Sequence, residues 1–400
     1  MAKETNTSRP LLIGHTADNH LRDTQYAARQ RGFDFFNGFL TAVDAICDNA
    51  DVGVDVGDIF DKPRPSARLV GQLLQADRRL RSKNKAMFVC SGNHDWSDPS
   101  WVNTIFEDRF PEGGKEGEFV KIPDDATGII PTDGRMFEFR GIKFATVNPY
   151  SASAFRHKLA EITVQVRDAD VVLYHGLIDG IVPIYTGLSD PLTVDDLPIS
   201  KNNKAWLLGD LHMPGFVNPE RPGGGTCLVG YPGSTEMCSS SEPLQKEIQL
   251  VKVDKDTAER IDPVPIETRP YITTKVHTEE DLEELMEKVT KVASDHPVVN
   301  VEFNREVPEV INRLHSMLDA QRSVIRCYPL PLDKKVVARE QGGTDDAELT
   351  MDHFVEKRFK EKPELAEVAL DLLHRDTDAH NIITDYVEKR KEAFAIVEED

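Results

Sequence analysis

Four things are scarce in this 400-residue chain, and each scarcity narrows the field. No apolar run approaches the ~20 residues that a membrane-spanning helix needs, which argues against a membrane protein. The first residues, Met1 to Thr7, are polar and carry no apolar leader, so no secretory signal is evident and the expected location is the cytoplasm, or the host cytoplasm for a phage-encoded chain. The five cysteines (Cys47, Cys90, Cys227, Cys238 and Cys327) are odd in number, lack C-x-x-C spacing and mostly sit in apolar stretches. That pattern fits free core thiols in a reducing compartment rather than a disulfide framework. Positive charge is short as well: 48 Lys and Arg against 69 Asp and Glu leave a net charge of −21. Because nucleic-acid affinity comes largely from Lys and Arg neutralising phosphates, a nucleic-acid substrate would need bound metals, a local basic patch or a partner to hold it. No internal repeat or low-complexity tract is present.

What the chain does have is a set of apolar runs that each end in polar, ligand-type residues. Leu11 to Ile13, Val52 to Val56 and Ala86 to Cys90 read as buried strands, each followed by a helix pattern. They lead into Asp18-Asn19-His20, Gly57-Asp58-Ile59-Phe60-Asp61 and Gly92-Asn93-His94-Asp95. Val171 to Tyr174 leads into His175, and Trp206 to Leu208 into Asp210 and His212. Loops at the carboxyl ends of parallel strands converge on one crevice. Five distant loops would therefore pool seven potential ligands, with Asp58 able to bridge two ions. Two divalent ions about 3.5 to 4 Å apart can clamp the attacking and leaving oxygens of an in-line phosphoryl displacement. A mixture of carboxylate, amide and imidazole suits manganese or a similar ion better than a thiolate-rich set would.

Four hundred residues suggest two or three domains. A helix is expected from Arg29 to Asn49, with Phe33, Phe36, Leu40, Val43 and Cys47 as a core stripe, and another from Ser66 to Arg81 after Pro65. In the second strand Val52, Val54 and Val56 share one face, while Asp55 on the other is unexplained beyond its closeness to Asp58. Met136 to Phe139 and Ile142 to Val147 flank Arg140-Gly141 as a tight hairpin, and Ala152 to Val166 reads as a helix. Residues 1–261 form the expected first domain, closed off by a proline-rich linker at Asp262-Pro263-Val264-Pro265. A small β-α-β-α-β module follows over 262–335, with a capping-box start at Thr278 to Asp281 and helices at Leu282 to Ala293 and Val307 to Ala320. Residues 336–400 read as helical, with apolar stripes at Leu365 to Leu373 and Ile382 to Phe394.

Taken together, His15-Thr16-Ala17-Asp18-Asn19-His20-Leu21, Gly57-Asp58-Ile59-Phe60-Asp61, Gly92-Asn93-His94-Asp95, His175-Gly176 and Gly209-Asp210-Leu211-His212 resemble the five motifs of the calcineurin-like phosphoesterase superfamily. Within it they are most similar to the SbcD branch of DNA-repair nuclease subunits, since the second motif ends Phe60-Asp61 rather than continuing Asp-Arg-Gly as in protein phosphatases. The resemblance implies an α/β fold: a four-layer metallophosphoesterase β-sandwich flanked by helices, a small α/β capping domain, and a helical C-terminus that docks on an SbcC-like coiled-coil ATPase. It implies a homodimer of the nuclease subunit, DNA as substrate, and two divalent ions, Mn²⁺ above all. Asp18, His20, Asp58 and His212 would hold one ion, and Asp58, Asn93, His175 and Asp210 the other. His94 would protonate the leaving 3′ oxygen or stabilise the charged transition state, as suits an imidazole, with Asp95 orienting it. His15 fits as a buried structural histidine. One departure is that the branch's usual Gly-His-x-His is here Gly209-Asp210-Leu211-His212, which bears on metal preference. Two rival expectations are a phosphoesterase of a non-DNA substrate and a scaffold weakened in catalysis that serves an ATPase.

Overall fold

The computed structural model describes residues 9–26, 28–97, 99–111, 117–182, 190–239, 242–276, 278–292, 297–303, 312–313, 316 and 324–329, all within the first of the two units into which the chain divides, Met1–Leu330. Its strands in chain order are β1 Leu11–Thr16, β2 Val52–Val56, β3 Ala86–Cys90, β4 Val120–Lys121, β5 Gly128–Pro131, β6 Met136–Phe139, β7 Ile142–Val147, β8 Val171–His175 and β9 Ile178–Asp179. They continue as β10 Leu192–Thr193, β11 Ala205–Gly209, β12 Gly215–Val217, β13 Leu228–Tyr231, β14 Lys246–Val253, β15 Ala258–Ile266, β16 Tyr271–Val276, β17 Val298–Phe303 and β18 Val324–Pro329. The helices are α1 Arg29–Asn49, α2 Ala67–Ser82, α3 Trp101–Phe106, α4 Ala152–His157, α5 Leu159–Val166 and α6 Glu279–Lys291.

Two large sheets dominate, in the orders β15-β14-β1-β2-β3-β5 and β12-β13-β11-β8-β7-β6-β4. Strands β1, β2, β3 and β5 are parallel, as are β7, β8, β11 and β13, so the loops that carry the motifs leave the same end of each sheet. Strand alternation divides the apolar side chains into three buried clusters. Ile13, Val54, Val56 and Phe88 meet Phe137, Phe144, Leu173 and Leu207 between the sheets. The other face of the first sheet packs on Phe39, Val43, Ile46, Leu73 and Leu80 of α1 and α2, and that of the second on Phe155, Ile162 and Val166 of α4 and α5. Three clusters separate four layers, helix-sheet-sheet-helix, the expected metallophosphoesterase architecture. The central layer is aromatic: Phe137 stacks on Phe144 with ring centroids 5.0 Å apart, and Phe88 lies 4.6 Å from Phe137. Truncating a buried phenylalanine such as Phe88 to alanine costs about 3–5 kcal/mol.

Several local expectations are met. Helix α1 has the expected bounds, Ser66 caps α2 by accepting from the Leu69 amide, and Arg140-Gly141 turns the β6–β7 hairpin with both φ positive. Helix α6 begins with the Thr278–Asp281 capping box and buries Leu282, Leu285 and Val289, while β16, β17 and β18 form a parallel sheet beside it.

Three expectations are corrected. Phe33 is 53% exposed and carries the Arg68 guanidinium over its ring; the core face of α1 is instead turned toward Phe35, Phe36 and Phe39. The segment Asp262-Pro263-Val264-Pro265 is no linker but part of β15, paired antiparallel with β14 around a bulge. Proline is tolerated there because β15 is the sheet's outermost strand, where a missing amide costs no ladder bond. The Ala152–Val166 helix is broken at Lys158 into α4 and α5. Most of the helix expected over Val307 to Ala320, and everything expected over 336–400, lies outside the described residues. No helix among the described residues is long and apolar enough to cross a membrane.

Candidate metal centre

The first sheet delivers Asp18 and His20 just beyond β1, Asp58 beyond β2, and Asn93, His94 and Asp95 beyond β3. The second sheet delivers His175 at the end of β8, and Asp210 and His212 beyond β11. These turns are strained. Among the described residues seven non-glycine positions have positive φ, and four of them are Asp18 (55°), His20 (46°), Asp58 (57°) and Asp210 (107°). Such backbone costs roughly 1–3 kcal/mol per residue and persists where surrounding structure over-determines it, as at functional sites. The flanking glycines are required by close approach: a Cβ on Gly92 would land on the Asp58 carboxylate, and one on Gly209 on the Val56 carbonyl oxygen.

Asp58 sits at the middle. Its Oδ2 lies 3.7 Å from His20 Nε2 and 3.5 Å from His175 Nε2, and its Oδ1 accepts from the His94 amide at 2.9 Å. On one side His20 Nε2 faces His212 Nε2 at 3.0 Å. On the other, His175 Nε2 lies 3.1 Å from Asn93 Oδ1 and 3.8 Å from Asp210 Oδ1, so Asp210 turns its carboxylate into the centre. The Asp210 amide donates to both Asp18 carboxylate oxygens, at 3.1 and 3.2 Å. All seven sequence-derived candidates are thus brought together.

Two of the three imidazoles are oriented as metal-ligating histidines usually are, with the far nitrogen donating to an oxygen. His175 Nδ1 donates to the Val56 carbonyl at 2.7 Å, and His212 Nδ1 to Glu242 Oε1 at 2.9 Å. His20 Nδ1 is buried without a hydrogen bond. Electrostatics point the same way. Burial raises the Asp18 carboxyl to about 6. For His175 burial favours the neutral ring, but the Asp58, Asp18 and Asp210 charges outweigh it and raise the group to about 10; His175 in turn outweighs burial at Asp58 and depresses it to about 2. A buried anionic cluster that forces a proton onto an imidazole is one that favours a cation in that place. Buried carboxylates, an amide and inward-facing imidazoles fit divalent ions.

The two catalytic candidates make separate contacts. His94 is exposed, lies edge-on to His20 with centroids 4.9 Å apart, and donates from Nδ1 to the Asp61 carbonyl at 3.1 Å, which leaves Nε2 for the site. Asp95 does not orient that ring. Its carboxylate accepts from the backbone amides of Gly92, Ile59 and Phe60, tying the second and third motif loops together, and burial raises it to about 7. Asp55, unexplained from the pattern, lies on the helix side of β2 and accepts from Asn19 Nδ2 at 2.6 Å, which steadies the loop between Asp18 and His20. His15 is fully buried, with Nε2 donating to the Leu208 carbonyl at 3.0 Å. Sequence reasoning missed Glu242, which besides His212 accepts from Lys246 Nζ at 2.6 Å, and is depressed to about 2 because these donors outweigh its burial. It follows His212 by thirty positions in a serine-rich loop, with no local signal.

A four-layer αββα fold with a carboxylate bridging two imidazole-bearing loop groups defines a metallophosphoesterase. The chain belongs to the calcineurin-like phosphoesterases, whose family profile matches residues 11–214, a family that uses divalent metal ions. Among characterised proteins it is similar to the DNA double-strand break repair protein Mre11 of Methanosarcina mazei, at 28% identity over 275 residues that cover 68% of this chain and 41% of that protein. Mre11 of Archaeoglobus fulgidus is 24% identical over 56% of this chain and 50% of its own, and Mre11 of Methanocaldococcus jannaschii 23% identical over 79% and 82%. This chain therefore spans half or less of the first two of these relatives.

Proposed function

We propose that the chain is a two-metal DNA nuclease of SbcD type, the hydrolytic subunit of an end-processing repair complex with a coiled-coil ATPase. The observation that carries this reading is Asp58, held between His20 from its own sheet and His175 from the other. Asp18, His20, Asp58 and His212 would hold one ion, and Asp58, Asn93, His175 and Asp210 the other. When bound, the pair supplies Lewis-acid neutralisation of charge on the attacking and leaving oxygens. The chain's own residues do the rest. Asp58 and His175 fix the spacing of the two ligand groups, and Asp95 locks the second and third loops. His94, with Nδ1 committed to Asp61, presents Nε2 to the leaving sugar oxygen and delivers a proton there. The oxygen-rich Asn93–Asp210 side favours Mn²⁺.

The net charge of −21 fits a subunit that relies on its metals and an ATPase partner to hold DNA. The apolar stripes from about Met351 onward, with Leu365, Leu372, Ile383 and Tyr386, are the proposed docking segment, outside the described residues, and a homodimer of the subunit belongs to the same proposal. The test is end-labelled linear duplex DNA with and without Mn²⁺, run beside an aryl phosphodiester. Manganese-dependent shortening of the DNA is expected. Hydrolysis of the aryl ester with intact DNA would replace the reading with a phosphoesterase of another substrate, and a chain that binds no metal and cuts neither would be a scaffold.

A further inference from the structure

The cysteine pattern predicts free core thiols, and Cys47, Cys90 and Cys227 are free and buried within the apolar clusters. Cys238 is different. Its Sγ, one ring nitrogen of His20 and one of His212 all lie within 4.8 Å of one another. Two donors on a common zinc-like ion, with bonds of about 2.3 Å to sulfur and 2.0–2.1 Å to nitrogen, are themselves roughly 3.3–4.4 Å apart, so only a small side-chain adjustment separates this trio from a shared ion.

The position is built rather than incidental. The Cys238 amide donates to Glu242 Oε2 at 3.1 Å while Glu242 Oε1 holds His212 Nδ1 at 2.9 Å, so one buried carboxylate fixes both the thiol-bearing backbone and the ring beside it. The Cys238 carbonyl is held from the other side by Gln25 Nε2 at 2.8 Å. The third member, His20, is buried and faces His212 Nε2 with its own Nε2 at 3.0 Å.

We propose that Cys238 is a thiolate ligand of the ion held by His20 and His212, making that position softer than its neighbour; the proposal rests on the two-metal reading and refines it. Two imidazoles and a sulfur beside the Asp18 and Asp58 oxygens shift that position toward zinc, iron or cobalt, whereas Asn93, Asp210 and Asp58 oxygens with a single imidazole select manganese or magnesium. The site is then a mixed one, with a soft ion beside a hard one.

The test uses the full chain loaded with Co²⁺. A thiolate-to-cobalt charge-transfer absorption in the near ultraviolet is expected at two cobalt per chain, and it should vanish in Cys238→Ser while cobalt remains bound. A second measurement needs no variant: alkylation of Cys238, followed by peptide mass spectrometry, should be fast in the metal-free chain and suppressed by Zn²⁺. Two bound cobalt ions without the absorption, or Zn²⁺ without protection, overturns thiolate ligation and leaves the nuclease reading standing. Absorption lost in Cys238→Ser with no DNA cleavage by the native chain supports the ligand and sinks the nuclease instead. A chain that binds no cobalt overturns both.

Discussion

The two large sheets contribute unequally to the centre. The first sheet supplies Asp18, His20, Asp58, Asn93, His94 and Asp95 from three successive parallel strands, all before residue 96. The second supplies His175, Asp210 and His212, with Glu242 and Cys238 following its β13 strand. Oxygen donors thus come mainly from the first sheet, and two of the three inward-facing imidazoles from the second. Neither half is a site alone. They are stitched together by buried polar bonds that cross between sheets: His175 to the Val56 carbonyl, His15 to the Leu208 carbonyl, and the Asp210 amide to Asp18. A bond that crosses a core is costly to leave unmade, so each one locks the register of one sheet against the other.

The largest effect expected is from Asp58→Ala, which removes the carboxylate held between His20 of the first sheet and His175 of the second. Elemental analysis should show loss of metal and a nuclease assay no cleavage; retention of both ions would dissolve the idea of a bridge. Next comes His94→Ser, which should slow cleavage by ~10²–10⁴-fold while two ions per chain remain, if His94 serves the leaving oxygen as proposed. Loss of metal with activity would move His94 into the ligand set. Glu242→Gln should act on one side only. A carboxylate behind a ligating histidine is worth about 10–100-fold in metal affinity, so calorimetric titration should show one weakened site and one unchanged; equal weakening of both would contradict the division.

The smallest effect concerns the cross-sheet bond of His15. Burial depresses His15 from 6.5 to about 3, so between those pH values the unfolded chain binds a proton that the folded chain refuses. Stability should therefore fall as pH drops through that window. Denaturant titrations of the metal-free chain at several pH values should show a shallower decline in His15→Asn than in the native protein. Identical slopes would mean that the ring is protonated in place.

Much of this was readable in linear order, because strand-end loops place their ligands beside the strands that announce them. Asp18, Asp58, Asn93, His175 and His212 all follow an apolar run within a few residues. What escaped is what only packing creates. Glu242 and Cys238 join His212 through a loop fold with no periodicity, and Asp95 follows His94 in sequence while its acceptors serve amides of its own loop and of the preceding motif loop. Pro263 and Pro265 suggested a linker because sequence does not reveal that β15 is an edge. Phe33 and Phe35 share a helix, and only the tilt of α1 on the sheet decides which is buried.

The crossing bonds also set a timetable. His15 and Leu208 are 193 positions apart, and Asp18 and Asp210 are 192. Residues emerge from a ribosome at about 5–20 per second, so the first-sheet ligands wait on the order of ten seconds or more for Asp210, and longer for Glu242. Until then the early loops can at most collect stray ions without the second-sheet residues that complete the pair. A metal-dependent hydrolase is thereby denied its full ligand set until the strands of the second sheet have been made and the two sheets close on each other.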